Sequence, residues 1–359
     1  MATAIPLMRD RQVIGIGVVI MLLAALIALP LFLQGRSFEL RLATIICLYA
    51  VLGQGWNILG GFAGQTSIGH GLFFGLGAYT STLLIVHLGL SPWLGMVAGA
   101  AVAAAFGVMI GFPCFKLRGH YFVIATLVVA EIVYQVVASW NAVGGASGIT
   151  LPLKQAGFIN FEFHRDKAPY YLIALAMLVG VTALALWLRQ SRLGYILCAI
   201  RDDEEAACSL GFSPQRYKLI AMAMSAAIVG ACGVFYAQYV LFIDPPSVLA
   251  VSLSVTIALI PIFGGVGTVA GPIIGAAVLI PISEYSRIWF SGSGRNVDLL
   301  IYGFMIMVIA AYRPNGLLSI LSLSAIRRIW RKPDEPQSKR IPPEESNKRT
   351  SENTHEASH

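Results

Sequence analysis

The sequence predicts an all-α polytopic membrane protein with about ten transmembrane helices and both termini cytoplasmic, on three observations. Hydrophobic residues make up 57% of the 359-residue chain and charged residues only 12%, against the ~25% charge of an ordinary soluble domain. The apolar runs are continuous, many near the ~20 residues an α-helix needs to cross a hydrocarbon core. Backbone polar groups are then satisfied within each span. A membrane barrel would show period-two alternation, which is lacking here. The third observation is that the basic residues divide unequally between alternate loops.

The runs fall at about 13–33, 41–60, 71–90, 92–115, 120–140, 169–188, 217–242, 249–263, 271–290 and 297–312. With the N-terminus inside, 18 Lys and Arg lie on the cytoplasmic side and 7 outside, together the 25 of the chain. The reverse topology would invert the positive-inside rule. Residues 1–12 then form a cytoplasmic N-terminus and 13–316 the membrane domain. The latter carries a cytoplasmic loop at 189–218 and an outer loop at 141–168. The first run, preceded by Arg9 and Arg11, exceeds a typical signal core and reads as an uncleaved helix. Beyond the membrane domain, 317–332 reads as an interfacial amphipathic segment whose Arg327, Arg328, Arg331 and Lys332 suit anionic lipid headgroups. The Pro-, Glu-, Ser- and Lys-rich stretch 333–359 cannot bury a core and reads as a disordered cytoplasmic tail.

The net charge of +7 lies largely in loops and tail, so it indicates no nucleic-acid partner. The five cysteines, Cys47, Cys114, Cys198, Cys208 and Cys232, have neither zinc-finger nor CxxC spacing and read as free thiols. No lysine follows a glycine, so no P-loop is present and the chain binds no nucleotide through one. His355-Glu356-Ala357-Ser358-His359 spells HExxH, but it ends the tail with no further ligand downstream, so neither catalysis nor a metal site is expected.

Small residues four apart mark helix faces that can approach closely. Gly71 and Gly75, and Gly267, Gly271 and Gly275, read as packing faces, whereas the pairs Gly95/Gly99 and Gly107/Gly111 read as chance spacing in a chain of 36 glycines. Two stretches, Gly60–His70 and Gly264–Pro272, interrupt the apolar pattern with glycines and hydroxyl residues. Each reads either as a broken helix of the kind found at transporter substrate sites or as a tight turn between two helices. Gln65, Ser67 and His70 raise the first stretch above the second. Glu131 is the acidic residue deepest in a span, with Gln135 one turn on along the same face. A carboxylate there costs several kcal/mol unless paired or hydrated, so Glu131 joins them as a candidate pathway residue, the alternative being a hydrogen-bonded packing role.

The 189–218 loop enters with basic residues and places Asp202-Asp203-Glu204-Glu205 at a helix start, where the macrodipole favours acid. Gly211 can cap the end. Glu205, Ala206, Ala207 and Gly211 thus read as a short exposed helix that passes force to a soluble partner, or, more plainly, as a well-capped solvated loop.

Several stretches together resemble the branched-chain amino-acid ABC transporter permeases, in the order of the M-type subunit. They are Leu52–Tyr79, containing Gly64-Gln65-Thr66-Ser67-Ile68-Gly69-His70-Gly71; Lys116–Tyr121 through Glu131-Ile132; Ser191-Arg192-Leu193-Gly194 through Ala207; and Arg313-Pro314-Asn315-Gly316-Leu317. The resemblance covers about residues 40–320 and departs from the family at Thr66, where leucine is commoner, and in the tail. It implies the ABC importer permease fold in a bacterial inner membrane and a non-catalytic subunit. The implied partners are a homologous H-type permease, two ATPase subunits that bind ATP and Mg, and a periplasmic solute-binding protein. Glu205, Ala206, Ala207 and Gly211 match the segment that is similar to the EAA loop of ABC importers. The implied cargo is branched-chain or other hydrophobic amino acids. Urea, short amides and aromatic acids are alternatives within the family, and a self-contained channel or carrier is the alternative outside it.

Overall fold

A computed structural model of the chain describes residues 21, 23–33, 35–117, 119–152, 157–158, 160–163, 167–289 and 303. The expected N-terminal segment, most of the tenth span, the 317–332 segment, the 333–359 tail and the terminal HExxH lie outside them. So does part of the first span, whose described portion is α1, Leu23–Phe32.

The elements that follow are α2 (Ser37–Asn57), continued by a π-helical turn (Ile58–Phe62), then α3 (His70–Leu88), α4 (Pro92–Cys114) and α5 (His120–Ser139). After the outer loop come α6 (Ala168–Gln190), α7 (Arg192–Asp202), α8 (Glu204–Ser209), α9 (Pro214–Val240), α10 (Pro245–Val248), α11 (Val251–Gly264) and α12 (Gly271–Trp289). Among the described residues, seven helical stretches are long and apolar enough to cross a membrane, and they correspond to the second through eighth expected spans. The ninth is present as a shorter apolar helix, Gly271–Ser286. Helix ends carry their local signals. Gly89 closes α3 in the left-handed region at φ 64°, and proline opens α4 and α9, where its missing N–H has no intrahelical partner to lose.

α2 and α9 form the centre: 72% of the α2 span is buried, against 17% of α5, which lies at the periphery. α9 packs on α2, α3 and α4, while α2 also meets α6, α11 and α12. Close approach is what the glycines permit, including those the sequence left aside. A Cβ at Gly77 would run into the Gly230 carbonyl, and one at Gly233 into the Phe74 carbonyl, so α3 and α9 cross nearly backbone to backbone. The expectation that Gly95/Gly99 and Gly107/Gly111 are chance spacing is corrected. A Cβ on Gly99 would meet Val234 Cγ2 at 2.7 Å, and one on Gly107 would meet Ala226 Cβ at 2.9 Å. Gly99, Gly107 and Gly111 let α4 lie against α9, and Gly95 lets it approach Ser81 of α3.

The loops sort to two ends as alternation of spans requires. At one end, Gln65, Lys116, Gly119, Asp203 and Lys218 line a common cleft, and Arg201 reaches Gly61. At the other, the strands β1 (Ile149–Thr150) and β2 (Phe242–Ile243) pair antiparallel, Ile149 opposite Ile243. There Trp93 Nε1 donates to Phe158 O at 2.8 Å. The outer loop is therefore partly ordered by strand pairing and by an aromatic cluster of Trp93, Phe158 and Phe161. All five cysteines are free; Cys47, Cys114 and Cys232 are buried and Cys208 is exposed.

Candidate functional site

The two glycine-rich stretches, about 200 residues apart in sequence, form one unit at the loop-rich end. α2 is wound into a π turn over Gly60 and Gly61, so the chain leaves it displaced, as π turns often do beside functional sites. Asn57 then grips the second stretch from both sides: its Oδ1 accepts from Gly267 N at 2.8 Å and its Nδ2 donates to Thr268 O at 2.9 Å. Gln54 donates to Val269 O. Thr268 Oγ1 accepts from Gly271 N at 3.0 Å and caps α12.

Ser67 and His70 are fully buried in a hydrogen-bonded knot where α3 begins. Trp56 Nε1 donates to Ser67 O at 2.7 Å, and Ser67 Oγ accepts from Gly69 N at 3.2 Å. His70 Nε2 lies 2.8 Å from Ser225 Oγ, which itself donates to Gly55 O at 2.7 Å. With the Ser225 proton committed there, the imidazole donates through Nε2. The knot ties α2, α3 and α9 together. Gln65 stands apart from it, half-buried, on the wall of a polar cleft of about 640 Å³. Glu131 is farther off on α5, where its Oε1 accepts from Gln135 Nε2 at 2.9 Å. Among the sequence's four pathway candidates, Gln65 lines that cleft, Ser67 and His70 sit in the knot, and Glu131 lies on the peripheral helix.

The 189–218 segment folds as α7, α8 and the start of α9, and its part from Asp203 to Lys218 forms the other wall of the cleft. Ser191 Oγ caps α7 by accepting from Gly194 N at 3.2 Å. Asp203 caps α8: one carboxylate oxygen accepts from Glu205 N at 2.9 Å and Ala206 N at 3.0 Å. Gly211, at φ 87°, ends α8, and Phe212 N returns to Ala207 O at 3.2 Å, a left-handed glycine stop. Ala207 faces the protein and is buried, while Glu205 and Ala206 are exposed on the outer side. Beside them projects Leu210, 75% exposed, an apolar tip that the sequence reading passed over.

Two cations that counted only as loop charge hold this segment in place. Lys218 lies in the first turns of α9 with its side chain 5% exposed, and its Nζ meets Glu204 Oε2 at 2.7 Å, binding α8 to α9. Arg201, near the end of α7, donates through Nη1 to Gly61 O at 3.0 Å, while Nε and Nη2 hold Asp202 Oδ1 at 3.0 and 2.9 Å. It fills the space over Gly64 and Gly267, where added Cβ atoms would meet its Cγ at 2.6 Å and Nη1 at 3.1 Å. Arg201 is thus a strut from α7 to both glycine loops. No group of three or more metal-ligating side chains occurs among the described residues.

This capped helix, strutted onto glycine loops inside an apolar bundle, accords with the comparisons. Residues 39–310 match the family described as the permease component of branched-chain amino acid transport systems. The chain belongs to this family. It is 31% identical over 320 residues to the high-affinity branched-chain amino acid transport system permease protein LivM of Salmonella typhimurium, covering 83% of this chain and 73% of the relative. The Escherichia coli LivM matches equally. The permease protein LivH of Escherichia coli is 22% identical over 289 residues, 77% of this chain and 92% of that one. No solved structure gives a significant match. Permease membership accords with the multi-pass helical architecture and with the short, capped, outward-facing α8.

Proposed function

We propose that this chain is one of two permease subunits of an ATP-driven importer in the bacterial inner membrane, passing branched-chain or other hydrophobic amino acids delivered by a periplasmic binding protein. The observation that carries the reading is α8: capped at both ends, bound to α9 through Lys218 and Glu204, and presenting Glu205, Ala206 and Leu210 outward. In this reading α8 seats in a groove of an ATPase subunit, and ATP and Mg bind there rather than on this chain. The end carrying α8 is the cytoplasmic one, in keeping with the charge asymmetry. Ten spans with both termini inside complete the topology. The second permease is a homologous H-type chain, a reading supported by similarity to both LivM and LivH, each a permease protein of a high-affinity branched-chain amino acid system.

The solute path in this proposal runs along α5 toward Gln65, with Ser67 and His70 holding its wall. α5 supports it physically. Its twenty residues span about 30 Å at 1.5 Å per residue, which puts Glu131 within about 2 Å of the helix midpoint. The stripe beside it, Ile124, Val128, Ile132 and Val136, is exposed. Glu131 at that depth would cost several kcal/mol against lipid, so this face turns toward the partner permease and the path between them.

The test is reconstitution of the complete complex in proteoliposomes. Leucine uptake should require ATP, the binding protein and both permeases, and Glu131→Gln should lower the rate while ATPase association persists. Leucine flowing down its gradient at full rate without the ATPases would sink the importer reading. Uptake of urea or aromatic acids in place of leucine would keep the class and change the cargo.

A further inference from the structure

At the end opposite α8 lies a cavity of about 500 Å³, within the roughly 300–1,000 Å³ typical of small-molecule sites. Its wall is aromatic: Phe235 and Tyr239 of α9 lie with planes 9° apart at 6.2 Å, and Tyr170 of α6 meets Tyr239 edge to face at 5.4 Å. The Tyr170 hydroxyl donates to Phe161 O at 3.3 Å, which orients its ring. Charges of both signs stand on separate helices around this wall: Arg41 on α2 and Glu284 on α12, with Lys167 at the start of α6. A gap between helix ends filled only by solvent needs neither a stiff aromatic wall nor opposed charges. An apolar molecule carrying both a cation and an anion needs both.

We propose that this cavity is the receiving site for an α-amino acid with an apolar side chain. Arg41 takes the carboxylate, for which its planar fork is suited. Glu284 takes the ammonium, and Tyr239, backed by the fully buried Phe235, packs the side chain. The proposal rests on the importer reading for its orientation, since it places the cavity on the side that faces the binding protein. The sequence reading passed over these residues because each is a single charge or aromatic at a span end, where such residues commonly anchor helices.

The experiment uses the full complex in right-side-out vesicles, with Ile45→Cys placed in the cavity lining and Cys198→Ser and Cys208→Ser removing the less buried native thiols. An impermeant methanethiosulfonate reports access to the thiol introduced at position 45. Leucine at about ten times its Kd should slow modification about tenfold. Leucinamide, lacking the carboxylate, and 4-methylpentanoate, lacking the ammonium, should protect far less. Arg41→Gln and Glu284→Gln should each abolish leucine protection, and Arg41→Lys should retain part of it; recovery of the assembled complex verifies folding. Equal modification with and without leucine, in a complex that still imports leucine, overturns the site and leaves the importer reading standing. Protection with the same charge dependence in a complex that imports none upholds the site and removes that reading.

Discussion

The Lys218–Glu204 pair makes a prediction whose ranking is set by unequal burial. The Lys218 side chain is 5% exposed and that of Glu204 47%, with the charged atoms 2.7 Å apart. At that distance and an effective dielectric of about 20, the attraction is on the order of 6 kcal/mol, and desolvating the ammonium takes back several kcal/mol of it. Glu204→Gln leaves an ammonium buried without its counter-charge and should destabilise the α8–α9 junction by about 3 kcal/mol. That is roughly a 150-fold shift toward the undocked helix. Lys218→Met removes the charge that had to be desolvated and leaves a carboxylate already half in water, so its cost should stay below about 1 kcal/mol. The double variant should resemble Lys218→Met, because the stranded charge is gone. Thermal unfolding of the purified protein, followed by tryptophan fluorescence across the four members of this cycle, measures the coupling directly. Equal losses from the two single variants, or a double variant equal to their sum, would refute the reasoning.

Arg201→Met removes the strut between α7 and the glycine loops without touching the outer face of α8. In the proposed importer, the ATPase subunits should still bind and hydrolyse ATP, while solute moved per ATP falls several-fold; a proportional loss of both would make Arg201 merely structural. Gly77→Ala and Gly233→Ala each push a methyl into a backbone carbonyl and should cost about 1–3 kcal/mol or more in thermal stability. Gly180→Ala, which meets only open space on the exposed side of α6, should instead be neutral or stabilise by up to about 1 kcal/mol. Gly211→Ala, at φ 87° with open space around it, should cost about 1–2 kcal/mol through backbone strain alone, with Gly211→Asn recovering part of that loss in the same melt.

The spans were legible because membrane burial acts on composition: among the described residues, seven apolar runs became helices long enough to cross. The short helix at 204–209 was legible because its caps are local, an acid run before it and a glycine after it. What escaped the sequence depends on distance. Asn57 and Gly267 pair across 210 positions, so the two glycine stretches read as separate twins rather than as a clasped pair. Lys218 adjoins a charged loop and was counted with it, although folding buries it in the first turns of α9. Ser67 and His70 drew notice as polar residues at a span boundary. Ser67 Oγ accepts from Gly69 N just before α3 and His70 Nε2 meets Ser225 where three helices join, a use that a one-dimensional pattern cannot distinguish from solute contact.

α9 connects the two ends that the proposals concern. It carries Lys218, which holds α8, and about 21 residues later Tyr239, which walls the cavity, a separation of roughly 32 Å along the axis. Between them it crosses α3 at Gly230 and Gly233 with backbones nearly in contact, leaving that crossing little freedom to slide and making it the natural fulcrum for a tilt. A displacement applied to α8 therefore has a rigid element by which to reach the aromatic wall. An energetic cycle measures that coupling. Glu204→Gln should change the leucine protection of the introduced thiol at the far end by a factor that Lys218→Met in the same chain restores. A far-end response identical in all three backgrounds would show that the two ends move independently.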